Sequence, residues 1–430
     1  ARIMEKIRCG LSMTNSWSDP PIALIGIVVS LPVTAISLAV ISWKFGLGLG
    51  LATTIAVFAL YRFMYLNPGP APTGRENDYF EYRDEKFARR WAGSRIPMDI
   101  FVDAIIAGAV DFKGDLLTTL RKCDAFVSYR PTHVTIRFLL AQFIPGLSSS
   151  FYDKATVKRE NALAYSKGND FFAAFLGPSM VYTSGIYNNL EESLEKAQER
   201  KMDEICQRLR LKKGSRLLDI GCGWGTLARH AEQKYGAVVT AVTLSSEGAA
   251  WCRQKNSELG TKVNVLHMDY RDIPSSEKFD AISCIEMAEH VQPAQWHGFL
   301  SQIKNMLTDE GLYVMQVAGL RQGALWRDVT WGLFMSRYIF PGADSSFPLH
   351  TYVEKLEQAG FQIHNIRGLQ YHLTLNAWYD NFLKNEGAVR SSKYPDSVIR
   401  LWKLFLAWSV IAAAEGSAAC RMITCHKDLS

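Results

Sequence analysis

The sequence contains no Cys-x-x-Cys pair, no His-x-x-x-His or His-x-x-Glu-His spacing and no Asn-x-Ser/Thr sequon. The missing ligand spacings argue against zinc, and no metal is expected. Eight cysteines are scattered at 9, 123, 206, 222, 252, 284, 420 and 425, too spread for a disulfide framework in 430 residues. Free thiols without sequons fit a reducing face such as the cytosol. No Gly-x-y period or heptad run supports a fibre, and 21% charged with 12% aromatic residues excludes a disordered chain. Excess charge is scarce too: 48 Lys and Arg stand against 42 Asp and Glu, a net +6. That is too little for a dedicated nucleic-acid binder, though it suits an anionic membrane surface. Mean hydropathy is −0.04, the average of a soluble protein, and the length allows two or three structural units.

The average hides an uneven distribution. Pro20 to Trp43 carries no charge and is rich in Ile, Val, Leu and Ala; after Lys44 a second uncharged run extends from Phe45 to Tyr61. About 20 helical residues cross a hydrocarbon core, so a two-helix transmembrane hairpin is expected at 21–43 and 45–66. A signal peptide has a shorter apolar region and no second block behind it. Trp17, Trp43, Tyr61 and Tyr65 sit where interfacial aromatics belong. Arg2, Lys6 and Arg8 flank one end and Arg62, Arg75 and Arg83 the other, which places both ends in the cytosol. A linker is expected over 67–97, first rich in Pro and Gly and then densely charged. A helical region over 98–188 follows. Its apolar clusters are read either as helices packing on the main domain or as a membrane-interfacial segment that guides lipid.

From 189 onward the pattern changes to alternation of strands and helices. Strands are expected at 216–220, 237–243, 263–266, 279–285 and 311–317, with helices at 246–259 and 295–307. Such βαβ alternation means a mostly parallel sheet with ligand at the carboxyl ends of its strands. Asp219-Ile-Gly-Cys-Gly-Trp-Gly225 lies between the first strand and its helix. Dinucleotide loops read G-x-G-x-x-G and receive a pyrophosphate. Here the spacing is D-x-G-x-G-x-G, and a carboxylate on the strand suits a ligand carrying positive charge. The expected cofactor is S-adenosylmethionine (SAM).

Several ordered stretches then resemble the cyclopropane fatty acid synthase family of SAM-dependent enzymes: Leu218-Asp-Ile-Gly-Cys-Gly-Trp-Gly225, Val242-Thr-Leu-Ser245, Met268-Asp-Tyr-Arg-Asp-Ile273, Met287-Ala-Glu-His-Val291 and Leu375-Asn-Ala-Trp-Tyr-Asp-Asn-Phe382. The resemblance covers roughly 160–425 and implies a Rossmann-like α/β methyltransferase domain with a seven-stranded sheet. Within that family the chain looks like the fungal sphingolipid C9-methyltransferases, through Gln316-Val-Ala-Gly-Leu320, Tyr338-Ile-Phe-Pro-Gly-Ala343 and the paired N-terminal spans.

Carried over by motif, the resemblance implies that Asp219, Gly221, Gly223 and Gly225 hold the methionine part of SAM. Thr243 and Leu244 would lie at the ribose, Asp269 and Tyr270 at adenine, with Tyr182 and Thr183 closing over the cofactor. A Gln that often binds ribose in the family is replaced by Gly248. Glu289, His290 and Tyr379 occupy the family's catalytic positions. Ser184 and Gln316 stand where cyclopropane synthases carry a Cys and a bicarbonate-binding His, which leaves bicarbonate, water or Glu289 open as the base. Trp326, Trp331, Phe334 and Tyr338, in an aromatic insertion at 320–347, are candidate lipid contacts. The implied reaction methylates C9 of a Δ8-unsaturated sphingoid base in ceramide or glucosylceramide at the endoplasmic reticulum. Two rivals are a cyclopropane synthase acting on phospholipid chains and a non-catalytic lipid-binding relative. A homo-oligomer stays open.

Overall fold

The computed structural model describes residues 76–130, 167–341, 343, 346–392 and 394–427, with single positions 55, 132, 135, 154, 157, 160, 164 and 165. Apart from Ile55, the expected membrane helices at 21–43 and 45–66 lie outside the described residues. The chain divides into two units, Ala1–Ala141 and Gln142–Ser430.

In the first unit the order is β1 (Phe80–Tyr82), α1 (Glu85–Trp91), β2 (Ile96–Pro97), α2 (Met98–Ala107), β3 (Val110–Phe112), α3 (Leu116–Leu120) and β4 (Val127–Ser128). β1 pairs antiparallel with β3, and β2 parallel with β4. Asp84 and Asp115 start α1 and α3 by accepting from the amides of Phe87 at 2.8 Å and Thr118 at 2.7 Å, satisfying donors that a helix start leaves orphaned. α2 buries Ile100, Phe101, Val102, Ala104, Ile105 and Ile106 and stops at Gly108, which takes φ 76°. Phe80, Phe101 and Phe126 form a ring cluster with centroids 5.1–5.6 Å apart. The expected linker over 67–97 is therefore structured from Glu76 onward, because Phe80 and Phe87 anchor an otherwise charged stretch. The expected 98–188 region also divides: α2, β3, α3 and β4 belong to this small unit, and residues from 142 onward to the second.

The second unit contains α4 (Asn169–Leu176), α5 (Leu194–Arg208), β5 (Arg216–Ile220), α6 (Thr226–Tyr235), β6 (Val238–Thr243), α7 (Ser246–Leu259), β7 (Asn264–His267), β8 (Phe279–Ile285), α8 (Trp296–Met306) and β9 (Leu307–Leu320). It continues with α9 (Trp326–Phe334), α10 (Leu349–Gln358), β10 (Phe361–Gly368), α11 (Tyr371–Arg390), α12 (Asp396–Ala414) and β11 (Ala418–Lys427). Seven strands form one sheet in the order β10-β11-β9-β8-β5-β6-β7. β7, β6, β5, β8 and β9 run parallel, and β11 is antiparallel to both its neighbours. One face packs Leu218, Ile282 and Met315 under Trp296, Phe299 and Tyr352, and the other packs Leu217, Ala281 and Val314 under Ile205, Ala228 and Ala249. Parallel strands covered on both sides bury nearly every residue, which is why their sequences read as continuous apolar runs.

Strand order reverses between β5 and β8, so the crevice at their carboxyl ends is the natural binding position. Among the described residues one helix, α12, is long and apolar enough to cross a membrane. Its Trp402 instead lies 5.1–5.6 Å from Phe171, Phe172 and Phe175, as in a core helix.

Candidate active site

β5 delivers Asp219 to the base of a cavity at this switch point, 2% exposed and accepting from Ser283 Oγ at 2.8 Å. Burial pushes its carboxyl up to about 6, against the pull of the Ser283 bond and the Lys201 charge. The chain then turns through Gly221, Gly223 and Gly225, all at positive φ. A Cβ on Gly221 would sit 2.5 Å from Met287 Cγ, whereas a Cβ on Gly223 would meet nothing within 4 Å. Gly223 lines the cavity, so its backbone is open to close approach by a ligand without interference from a Cβ. Beyond β6, Ser245 starts α7 by accepting from Gly248 N at 3.0 Å. A Cβ on Gly248 would lie 2.7 Å from Gly223 O. The departure from the family's Gln thus has a steric reason: α7 approaches the glycine loop too closely for a side chain.

Asp219, Gly221, Gly223, Thr243, Leu244, Tyr182, Thr183 and Tyr270 all line this one cavity. Gly225 and Asp269 are not on its wall. Gly225 is packed against Cys252 Sγ, 2.7 Å from where its Cβ would be, and Asp269 is engaged by Arg271 through Nε at 2.8 Å and Nη2 at 2.6 Å. Burial would raise Asp269, but Arg271 holds it below the usual carboxylate range. Thr183 is clamped by Gln198, which donates to its carbonyl at 2.8 Å, and by Lys201, which donates to its hydroxyl. Neither Gln198 nor Lys201 was expected; both sit on α5, whose sequence reads as an ordinary amphipathic helix. Lys201 is 2% exposed, and burial pushes its ammonium down to about 8.

The expected catalytic residues separate into two groups. His290 lines the cavity, and burial pushes it down to about 4, so its ring is neutral near pH 7. Glu289, Gln316, Ser184 and Tyr379 lie behind the wall. Glu289 accepts from Ala318 N at 2.6 Å and is pushed up to about 8 by burial and by the neighbouring Glu286. It is therefore largely protonated near pH 7. Tyr379, 2% exposed, is buried in α11.

Ser184 and Gln316 converge on Glu286, a cavity residue absent from the sequence expectations. Its Oε1 accepts from Ser184 N at 2.7 Å, Gln316 Nε2 at 2.6 Å and Cys420 Sγ at 3.4 Å. Aromatic rings pack around Tyr182 and His290 of the cavity wall. Tyr182 lies 5.2 Å from Trp378 and 5.4 Å from Phe175, while Phe340 is 6.0 Å from Tyr182 and 6.2 Å from His290.

Of the expected lipid contacts, Phe334 is 4% exposed with its ring 5.0 Å from Trp408, and Tyr338 packs tilted against Phe334 at 5.5 Å. Trp331 is 7% exposed, and the side chain of Trp326 lies outside the described residues. Trp331, Phe334 and Tyr338 are not on the cavity wall; among the insertion's described residues Pro341 lines it, and Phe340 packs against His290 of that wall.

A buried acid beneath a glycine cradle at a β5/β8 switch point, with hydroxyls on β6 and an aromatic over β7, fits SAM. The fold and the site define a SAM-dependent methyltransferase. The profile of the mycolic acid cyclopropane synthetase family matches residues 153–423. The chain belongs to that family, and within it stands with the sphingolipid C9-methyltransferases. It is 39% identical to sphingolipid C9-methyltransferase A of Emericella nidulans, over 91% of this chain and 80% of that protein. It is 40% identical to the sphingolipid C9-methyltransferase of Komagataella phaffii, over 82% and 74% respectively. A mycolic acid cyclopropane synthase solved with SAH and CTAB shares the fold, with a TM-score of 0.60 and 24% identity over 63% of this chain and 98% of that one. The enzyme is thus a SAM-dependent lipid methyltransferase.

Proposed function

We propose that the protein is a membrane-anchored C-methyltransferase that methylates C9 of a Δ8-unsaturated sphingoid base in ceramide or glucosylceramide. The observation that carries this reading is the cavity wall. It joins a SAM cradle to aromatic faces and buried carboxyls, and it offers no cationic or phosphate-binding group beyond Lys201 among its described residues. A site of that kind suits an apolar alkene, and the sphingolipid C9-methyltransferases are the relatives at about 40% identity.

When bound, SAM supplies an electrophilic methyl group on a sulfonium. Asp219, the Gly223 backbone, Thr243 and Tyr270 would hold that group. Methylation of an alkene leaves positive charge on the neighbouring carbon. The faces of the cavity residues Tyr165 and Tyr182 each contribute about 0.5–2 kcal/mol toward a desolvated cation, and the Glu286 carboxylate adds charge stabilisation. The buried aromatic wall excludes water that would otherwise trap the cation.

The hairpin at 21–43 and 45–66 would anchor the enzyme in the endoplasmic reticulum with this site facing the cytosol. Lifting a chain out of the bilayer forfeits about 0.8 kcal/mol per CH₂, so a tethered enzyme with an apolar entry avoids an otherwise prohibitive extraction.

The test incubates the full chain in membranes with labelled SAM and Δ8-unsaturated ceramide, glucosylceramide or unsaturated phospholipid. C-methylation and cyclopropanation add the same mass, so products are ozonised: a retained alkene gives cleaved fragments, a cyclopropane does not. Cleavable, methylated sphingoid base is expected. Label only in phospholipid, or only in uncleavable product, would overturn the reading.

A further inference from the structure

Three described non-glycine residues adopt positive φ: Met180, Arg210 and Glu286, the last at 50°. Bulky side chains pay of order 1–3 kcal/mol for that region, and such strain persists where the surroundings over-determine it. For Glu286 the surroundings are identifiable. Its own amide donates to Gln316 O at 2.7 Å, and its Oε1 collects Ser184 N, Gln316 Nε2 and Cys420 Sγ. One oxygen is thus fixed by donors from three segments of the chain, while the residue lines the cavity and is partly exposed. A carboxylate pinned by donors on a cavity-lining residue is a positioned proton acceptor.

We propose that Glu286 is the catalytic base of the methyl transfer, the group that removes the proton from the newly methylated carbon. This rests on the alkene methylation proposed above. The alkene π pair forms the new C–CH₃ bond as the C–S bond breaks, its pair staying on sulfur. The adjacent carbon is left cationic. The C–H bond of the methylated carbon then breaks, its electron pair re-forms the double bond, and the proton goes to a Glu286 oxygen and from there to water. Charge and atoms balance without a further reactant. The partner carboxyl, Glu289, is held mostly protonated, so it does not compete as acceptor. Burial raises the Glu286 carboxyl above its ordinary value, while the Ser184 amide, the Lys201 charge and the Gln316 donor pull it back toward the ionised form. The other titratable groups bearing on Glu286 are Cys420, Tyr165, Tyr182 and Tyr371, all raised and therefore neutral.

The experiment compares wild type, Glu286→Gln and Glu286→Ala in membranes with Δ8-unsaturated ceramide and SAM, alongside SAM affinity by calorimetry and a pH profile. Glu286→Gln is expected to retain SAM binding within about threefold and lose on the order of 10²–10⁴ in turnover. Glu286→Ala should regain at least about tenfold when formate is added, because a small carboxylate can enter the vacated space; a merely structural residue is not rescued in this way. At SAM concentrations saturating across the pH range, the acid limb of the wild-type rate profile should vanish in Glu286→Gln. Turnover of Glu286→Gln near wild type, or inactivity of Glu286→Ala that formate does not relieve while SAM still binds, would overturn the assignment. If wild type leaves the ceramide unmodified, the substrate reading has failed instead, and formate rescue on whichever alkene is accepted still decides the role of Glu286.

Discussion

The most discriminating perturbation is Asp219→Asn. Burial lifts the Asp219 carboxyl from 3.8 to about 6, so the folded protein binds this proton more tightly than the unfolded chain does. A raised acid of this kind costs stability. The cost is absent below about pH 4, grows as pH rises through the interval from 3.8 to about 6, and is complete above it. Two units correspond to about 3 kcal/mol, an upper bound that protein relaxation reduces to roughly 1–3 kcal/mol. Asn keeps the shape and still accepts from Ser283 Oγ without carrying charge. The ligand-free variant should therefore be more stable than wild type at pH 7.5, by roughly 2–10 °C in Tm for a unit of this size.

The same substitution should weaken SAM, because the carboxylate that faces the ligand's positive charge is gone. For wild type, SAM affinity should fall about tenfold from pH 7.5 to pH 5 as Asp219 takes up its proton, and the Asn variant should show no such slope. Calorimetric titrations across that range, with Tm recorded on the same ligand-free samples, test both halves. A variant that is less stable than wild type and keeps the pH slope would refute the reasoning.

Three further outcomes follow from the packing. Gly248→Gln restores the family's side chain but places a Cβ 2.7 Å from Gly223 O; about 1–3 kcal/mol of strain should weaken SAM roughly 5- to 150-fold, and unchanged affinity by titration would contradict the close approach. Gln316→Leu removes the 2.6 Å donor to Glu286, a bond that favours the charged carboxylate, so the acid limb of the rate profile should move upward by roughly one to two pH units; a limb that stays in place would separate Gln316 from Glu286. Phe334→Ala should cost about 3–5 kcal/mol in denaturant unfolding through its contact with Trp408, with SAM affinity unchanged; intact stability with lost lipid turnover would instead make Phe334 part of the lipid path.

Much of the catalytic unit was legible in the sequence because its signals are local. The expected strands at 216–220 and 279–285 and the helix at 246–259 coincide with β5, β8 and α7, since alternation of apolar runs with turn residues is a short-range property. β9 runs longer than expected, Leu307–Leu320, because it extends across the sheet to pair with β11. The small unit was less legible. Its charged residues masked Phe80, which packs on Phe101 and Phe126, residues distant in sequence, and Phe87, which packs on Tyr82.

By itself the sequence determined the class of reaction and the cofactor cradle, because Asp219 and its glycines act within one strand, loop and helix. It also determined Ser184 and Gln316 as unusual positions, without saying what they do. Only the tertiary structure decided that, because Ser184, Glu286, Gln316 and Cys420 are brought together by strand order, through hydrogen bonds linking residues up to 134 positions apart. Glu289 carries the family's motif yet lies behind the cavity wall. Glu286, three residues earlier, lines that cavity from a backbone at positive φ, and no spacing rule reads that angle from sequence.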